Sequence, residues 1–120
     1  MDESEIFTIE QDGVTLIVAL PKTEITFADD QINAGVHGIL ELLREDSLSN
    51  LVVDFGQSPY FGSIVLGAVL TLQNAIHDKK GRFAICNLST VGQEIIRISR
   101  FDSVWPIFET RQEALVSVNP

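Results

Sequence analysis

The sequence predicts an α/β fold: one domain spanning residues 1–120, with a mixed, mostly parallel five-stranded sheet, about four helices and an N-terminal β-hairpin. Three observations predict it. Short apolar runs alternate with stretches of helical spacing, as strand–helix crossovers require. The later runs are apolar without alternation, as in strands covered on both faces. Finally, 120 residues with 45% hydrophobic content make one core, too apolar for disorder and too short for a large multi-part catalyst.

Ile6–Ile9 and Val14–Leu20 are β-branched runs separated by Gln11-Asp12-Gly13, and Asp-Gly tolerates the positive φ of a tight turn. After a polar stretch from Lys22 to Asp30, Asp29 or Asp30 is placed to cap a helix carrying Ile32, Val36, Ile39, Leu40 and Leu43, ending near Glu45. Gly35 and Gly38 inside it weaken the helix and mark close packing on a neighbour. Leu51–Phe55 reads as a buried strand and residues 56–59 as a loop.

A second helix over Ser63–Asp78 places Val65, Val69, Leu72 and Ile76 on one face. Ile64, Leu66 and Leu70 make its first half apolar almost all round, so its start is either buried on two sides or kept for a partner. Lys79-Lys80-Gly81 suits the negative helix end and its C′ position. Arg82–Cys86 is the fourth strand, and Thr90–Ser99 a third helix burying Val91, Ile95 and Ile98. Trp105–Phe108 is a last short strand, its Pro106 at a start or edge. Thr110 and Glu113 form a capping box for a closing helix to Val116.

Eight basic residues face seventeen acidic ones, a net charge of −9 that repels phosphate backbones and anionic lipid. Nucleic-acid binding and direct membrane insertion are therefore not expected. Residues 1–46 carry the whole excess, which serves as a solubilising surface or as a docking face for a basic partner. The acidic N-terminus is unlike a secretory leader, no apolar stretch reaches the ~18 residues of a membrane span, and the lone Cys86 sits in an apolar run. A cytoplasmic protein with a buried free thiol is expected.

Catalytic groups do not converge. His37, His77 and Cys86 lie on three different elements without a ligand spacing, so no metal and no cofactor are expected. Ser63 lacks a nucleophile elbow, and His77 is about fourteen helical residues away, ~20 Å along the axis. Ser63 does open a helix, where it is either an N-cap or a place at which a phosphate is tolerated. Asp54 ends a parallel strand, at the edge where open α/β sheets meet ligands and partners, or is an acid satisfied by loop amides.

The segments Leu51–Phe55, Pro59–Leu70, Lys79–Asn87 and Phe101–Phe108 together resemble the STAS domain, found in bacterial anti-sigma factor antagonists and in sulphate-transporter tails. The resemblance runs from the opening hairpin to the closing helix. Family members carry Asp-Ser-Ser-Gly-Leu-Gly at the start of the second helix, with the second serine as phosphoacceptor. Here the run is Gly62-Ser63-Ile64-Val65-Leu66-Gly67, so that acceptor position holds Ile64. Ser63, or Ser58 in the preceding loop, is the remaining acceptor candidate.

The resemblance implies a non-enzymatic module that binds a serine-kinase anti-sigma factor of the ATP-binding type. The expected contact patch is Tyr60, Phe61, Gly62, Ser63, Ile64 and Val65, flanked by Asp54, Thr23, Glu24 and Thr26. Apolar residues at the second helix equally support a homodimer. The alternatives are a scaffold module of a transporter complex handling a small ligand or lipid, and a small α/β enzyme with a cleft holding a perturbed His or carboxylate.

Overall fold

The computed structural model describes residues 6–20, 29–56, 58, 59 and 61–119. The elements run β1 (Thr8–Asp12), β2 (Thr15–Ala19), α1 (Asp29–Leu42), β3 (Asn50–Asp54), α2 (Ser63–Asp78), β4 (Arg82–Cys86), α3 (Thr90–Ile98), β5 (Ile107–Phe108) and α4 (Arg111–Val118), with a 3-10 turn at Phe101–Ser103. The sheet order is β1-β2-β3-β4-β5, and every pairing is parallel except β1 with β2.

Because each parallel strand is added on the same side as the last, right-handed crossovers place α1, α2 and α3 on one face of the sheet. Strand alternation divides the side chains accordingly. Leu16, Val18, Leu51, Val53, Phe83 and Ile85 join the core beneath those three helices. Ile17, Val52, Ala84 and Cys86 point the other way, where α4 covers them with Ala114 and Val118. Both faces of β2, β3 and β4 are thus buried, which is why their sequences do not alternate.

The hairpin turn sits one step later than the sequence implied. Asp12 pairs with Thr15, so β1 runs through Gln11-Asp12 and the turn is Gly13-Val14, with Gly13 at φ +60°. Within α1, Gly35 does mark a close approach, since a Cβ there would lie 2.6 Å from the buried Phe7 ring. Gly38 faces open space. Side chains at 29 and 30 lie outside the described residues, as do Thr23, Glu24 and Thr26.

Three local expectations are corrected. In α3 the buried positions are Gly92 and Ile96, while Val91 and Ile98 are exposed. Gly92 decides this, because its bare Cα lets the helix close on Phe61 and Leu88; a Cβ would lie 3.2–3.3 Å from both. After α2 the left-handed residue is Lys80 (φ 61°), whereas Gly81 is required for room, its Cβ direction meeting the Ser49 carbonyl at 1.9 Å. The last strand spans only Ile107–Phe108, because Trp105 turns inward instead. It stacks on Phe101 at 4.3 Å and donates from Nε1 to Gln73 Oε1 at 2.7 Å. The Thr110–Glu113 capping box on α4 is formed as expected.

Candidate interaction surface

The candidate surface is the N-terminus of α2. Gly62 is its N-cap in an extended conformation, and has no side chain of its own with which to close the first free N–H groups. Ser63 is therefore the first helical residue and not the cap. Gly62, Ser63 and Ile64 are exposed, Ile64 at 44%, while Val65 is half-buried and Leu66 turns into the core. The first turn carries no acidic residue, so the positive end of the helix dipole has no carboxylate within its own first turn.

Other residues assigned to the patch lie beneath it. Phe61 is buried, its ring 4.8 Å from that of Phe55 and against Gly92. It supports the helix start from below. Ser58 is only 2% exposed, and its backbone amide donates to the Phe55 carbonyl at 2.9 Å. Tyr60 lies outside the described residues.

Asp54 is also internal, and its carboxylate is fully engaged. Oδ1 accepts from the Gly56 amide at 2.8 Å and from Asn87 Nδ2 at 3.0 Å. Oδ2 accepts from Arg111 Nε at 2.9 Å, and Arg111 Nη1 reaches on to Glu10 at 2.9 Å. Hydrogen bonds to Glu10 and then Asp54 raise the Arg111 pKa further above its usual value. Asp54 thus ties the loop after β3 to α4 and β1, and does not face a visitor.

Sequence reasoning missed two contributors. Ser89, the α3 N-cap, donates from Oγ to the Pro59 carbonyl at 2.6 Å and accepts from the Gly92 amide at 2.9 Å, pinning the loop before α2 to the start of α3. A serine before a periodic apolar run is a helix-start signal that could have revealed the cap, though not the loop contact. Val91 is exposed in the first turn of α3. Arg111 had no local signal at all.

The one thiol of the chain lies away from this corner. Cys86 is buried beneath α4, and desolvation, then the Asp54 charge, push its thiol up to about 12 against the opposing pull of Arg111. Among the described residues no three His, Cys, Asp or Glu side chains are placed to hold a metal ion, and no helix is long and apolar enough to cross a membrane.

This sheet order, one-sided helix layer and capping helix define an α/β domain whose exposed feature is a helix mouth. The sequence matches the STAS domain over residues 6–114, and the chain belongs to that family. It is 30% identical over 64 residues to the "Putative anti-sigma factor antagonist BtrV" of Bordetella bronchiseptica, a match covering 53% of this chain. The chain spans about half, 55%, of the length of that curated relative.

Solved structures share the fold. An anti-sigma-factor antagonist (STAS) domain protein from Planctomyces limnophilus superposes with a TM-score of 0.80 at 18% identity, covering 95% of this chain and 98% of that one. The anti-sigma factor antagonist SpoIIAA in its unphosphorylated form gives 0.76 at 19%, covering 94% and 96%. The phosphorylated form of SpoIIAA, described as a Bacillus cell fate determinant, gives 0.68 at 17%, covering 93% and 98%.

Proposed function

We propose that this chain is a non-enzymatic anti-sigma factor antagonist, working in the cytoplasm, that docks an anti-sigma factor of the serine-kinase type through the N-terminus of α2. The observation that carries this reading is the open, uncharged first turn of α2, Gly62-Ser63-Ile64, held up from below by Phe61. An apolar group at the centre of a contact supplies binding by desolvation, and a first turn free of carboxylates does not repel an acidic or polar partner.

The same residues bear on regulation. A phosphate adds roughly −1.5 to −2 charge and disrupts a contact through repulsion and desolvation. Ile64 cannot accept one and Ser58 is buried, whereas Ser63 is an exposed hydroxyl in the first turn of α2. Docking is therefore constitutive, unless a kinase uses Ser63. Co-purification with the anti-sigma factor encoded nearest to this gene tests the reading. Wild type is expected to be retained and Ser63→Asp and Ile64→Asp to be lost. Equal retention of all three would refute the surface. Stoichiometric phosphorylation of Ser63 by the partner kinase would show that the switch has moved by one residue.

A further inference from the structure

We propose a second docking site, separate from the α2 mouth: the open edge of β5, which takes an extended, basic segment of a partner protein as an added strand. β5 is last in the sheet order, so among the described residues only one of its sides is paired. Toward β4, the Pro106 carbonyl accepts from the Ile85 amide at 2.9 Å and the Phe108 carbonyl from the Asn87 amide at 3.3 Å. In a parallel ladder, alternate residues turn their N–H and C=O to opposite sides. Ile107 consequently directs both of its backbone groups to the open edge, and its side chain is 38% exposed.

A groove flanks this edge on each face. One, of about 590 Å³, lies toward α3 and is bounded by Leu88, Arg97 and Asp102. The other, of about 450 Å³, lies toward α4 and is bounded by Gln112, Glu113 and Val116. Ile107, Phe108 and Glu109 line both. An added strand sends successive side chains to opposite faces, so a residue opposite Ile107 enters the first groove and its two neighbours enter the second. The two-residue length of β5 restricts the visitor to this one register.

Charge selects the occupant. Asp102 and Glu109 border the first groove, and Glu109 and Glu113 the second. Among the described residues lining these grooves the one cation, Arg97, is already held by both oxygens of Glu94. A second copy of this chain, itself at −9, would set these carboxylates against their own kind. A segment with apolar residues at its centre and Lys or Arg on either flank satisfies both the grooves and their rims.

The test is titration of the isotopically labelled full chain, followed by amide chemical shifts, with acetyl-Lys-Lys-Val-Leu-Val-Lys-Lys-amide and with its counterpart N-methylated at the central leucine. Shifts are expected at Ile107, Phe108, Glu109 and Val116, with the N-methylated peptide binding at least tenfold weaker. Glu109→Lys should weaken the parent peptide several-fold, and Ser63→Asp should leave it unchanged. The proposal is overturned by equal affinity of the two peptides, by shifts centred away from β5, by no binding at millimolar peptide, or by undiminished binding to Glu109→Lys. A dimer in sedimentation whose interface carries the Ile107 shifts would assign the edge to a second copy and overturn it equally.

Discussion

Arg111 donates from Nε to Asp54 Oδ2 at 2.9 Å, joining the first residue of α4 to the last residue of β3 across 57 positions. The pair closes the sheet edge from which the loop to α2 departs. With Arg111 bonded onward to Glu10, one guanidinium holds three elements together.

Arg111→Ala should therefore leave the buried Asp54 carboxylate short of its charged donor. The Arg111 side chain is one-third exposed, so solvent offsets part of the loss, and the expected cost is about 1–2 kcal/mol. Urea unfolding measures it. A change within a few tenths of a kcal/mol would mean that the Gly56 and Asn87 donors suffice.

Folding stability should fall in alkali through Cys86. The folded thiol titrates at about 12, against an ordinary value of 9.0, so above pH 9 the unfolded chain releases a proton that the folded chain keeps. The contribution is intact below pH 9 and is lost as pH rises toward 12, at no more than about 1.4 kcal/mol per pH unit. Comparing denaturation midpoints of wild type and Cys86→Ala between pH 8 and 11 isolates this share. Parallel curves would contradict it.

Two glycines should respond oppositely to alanine. Gly81→Ala drives a methyl into the Ser49 carbonyl and should cost about 3 kcal/mol or more. Gly38→Ala adds a methyl to an open helix face and should stabilise by roughly 0.5–1 kcal/mol. Thermal melts of the two variants decide the matter by sign alone.

Trp105→Phe should lose the bond to Gln73 and part of the packing on Phe101 and Phe83, a cost of about 2–4 kcal/mol. Circular dichroism during urea unfolding measures the loss. In wild type this single tryptophan also reports unfolding by a red shift of its emission.

Substitutions at the α2 mouth should spare the fold. Ser63 and Ile64 are exposed in a first turn that lacks acids, so an aspartate at either site gains a few tenths of a kcal/mol from the helix dipole. Unchanged or slightly raised melting temperatures are expected for Ser63→Asp and Ile64→Asp. Loss of partner binding then reports the contact itself.

Periodicity and turn chemistry by themselves determined the element order, the parallel character of the sheet, the Thr110–Glu113 cap and the α2 start at Ser63. Each depends on residues within a few positions of one another, and short-range spacing records them directly. Only the tertiary structure decided that Ile96, and not Val91 or Ile98, faces inward, that Trp105 leaves its strand, that Phe61 and Ser58 lie beneath the mouth, and that Asp54 is engaged internally. Those outcomes depend on which layer meets which: on Gly92 admitting Phe61, on Gln73 receiving the indole, and on Arg111 arriving from 57 residues away. No one-dimensional pattern encodes such meetings, because the partners become neighbours only when the helices close over the sheet.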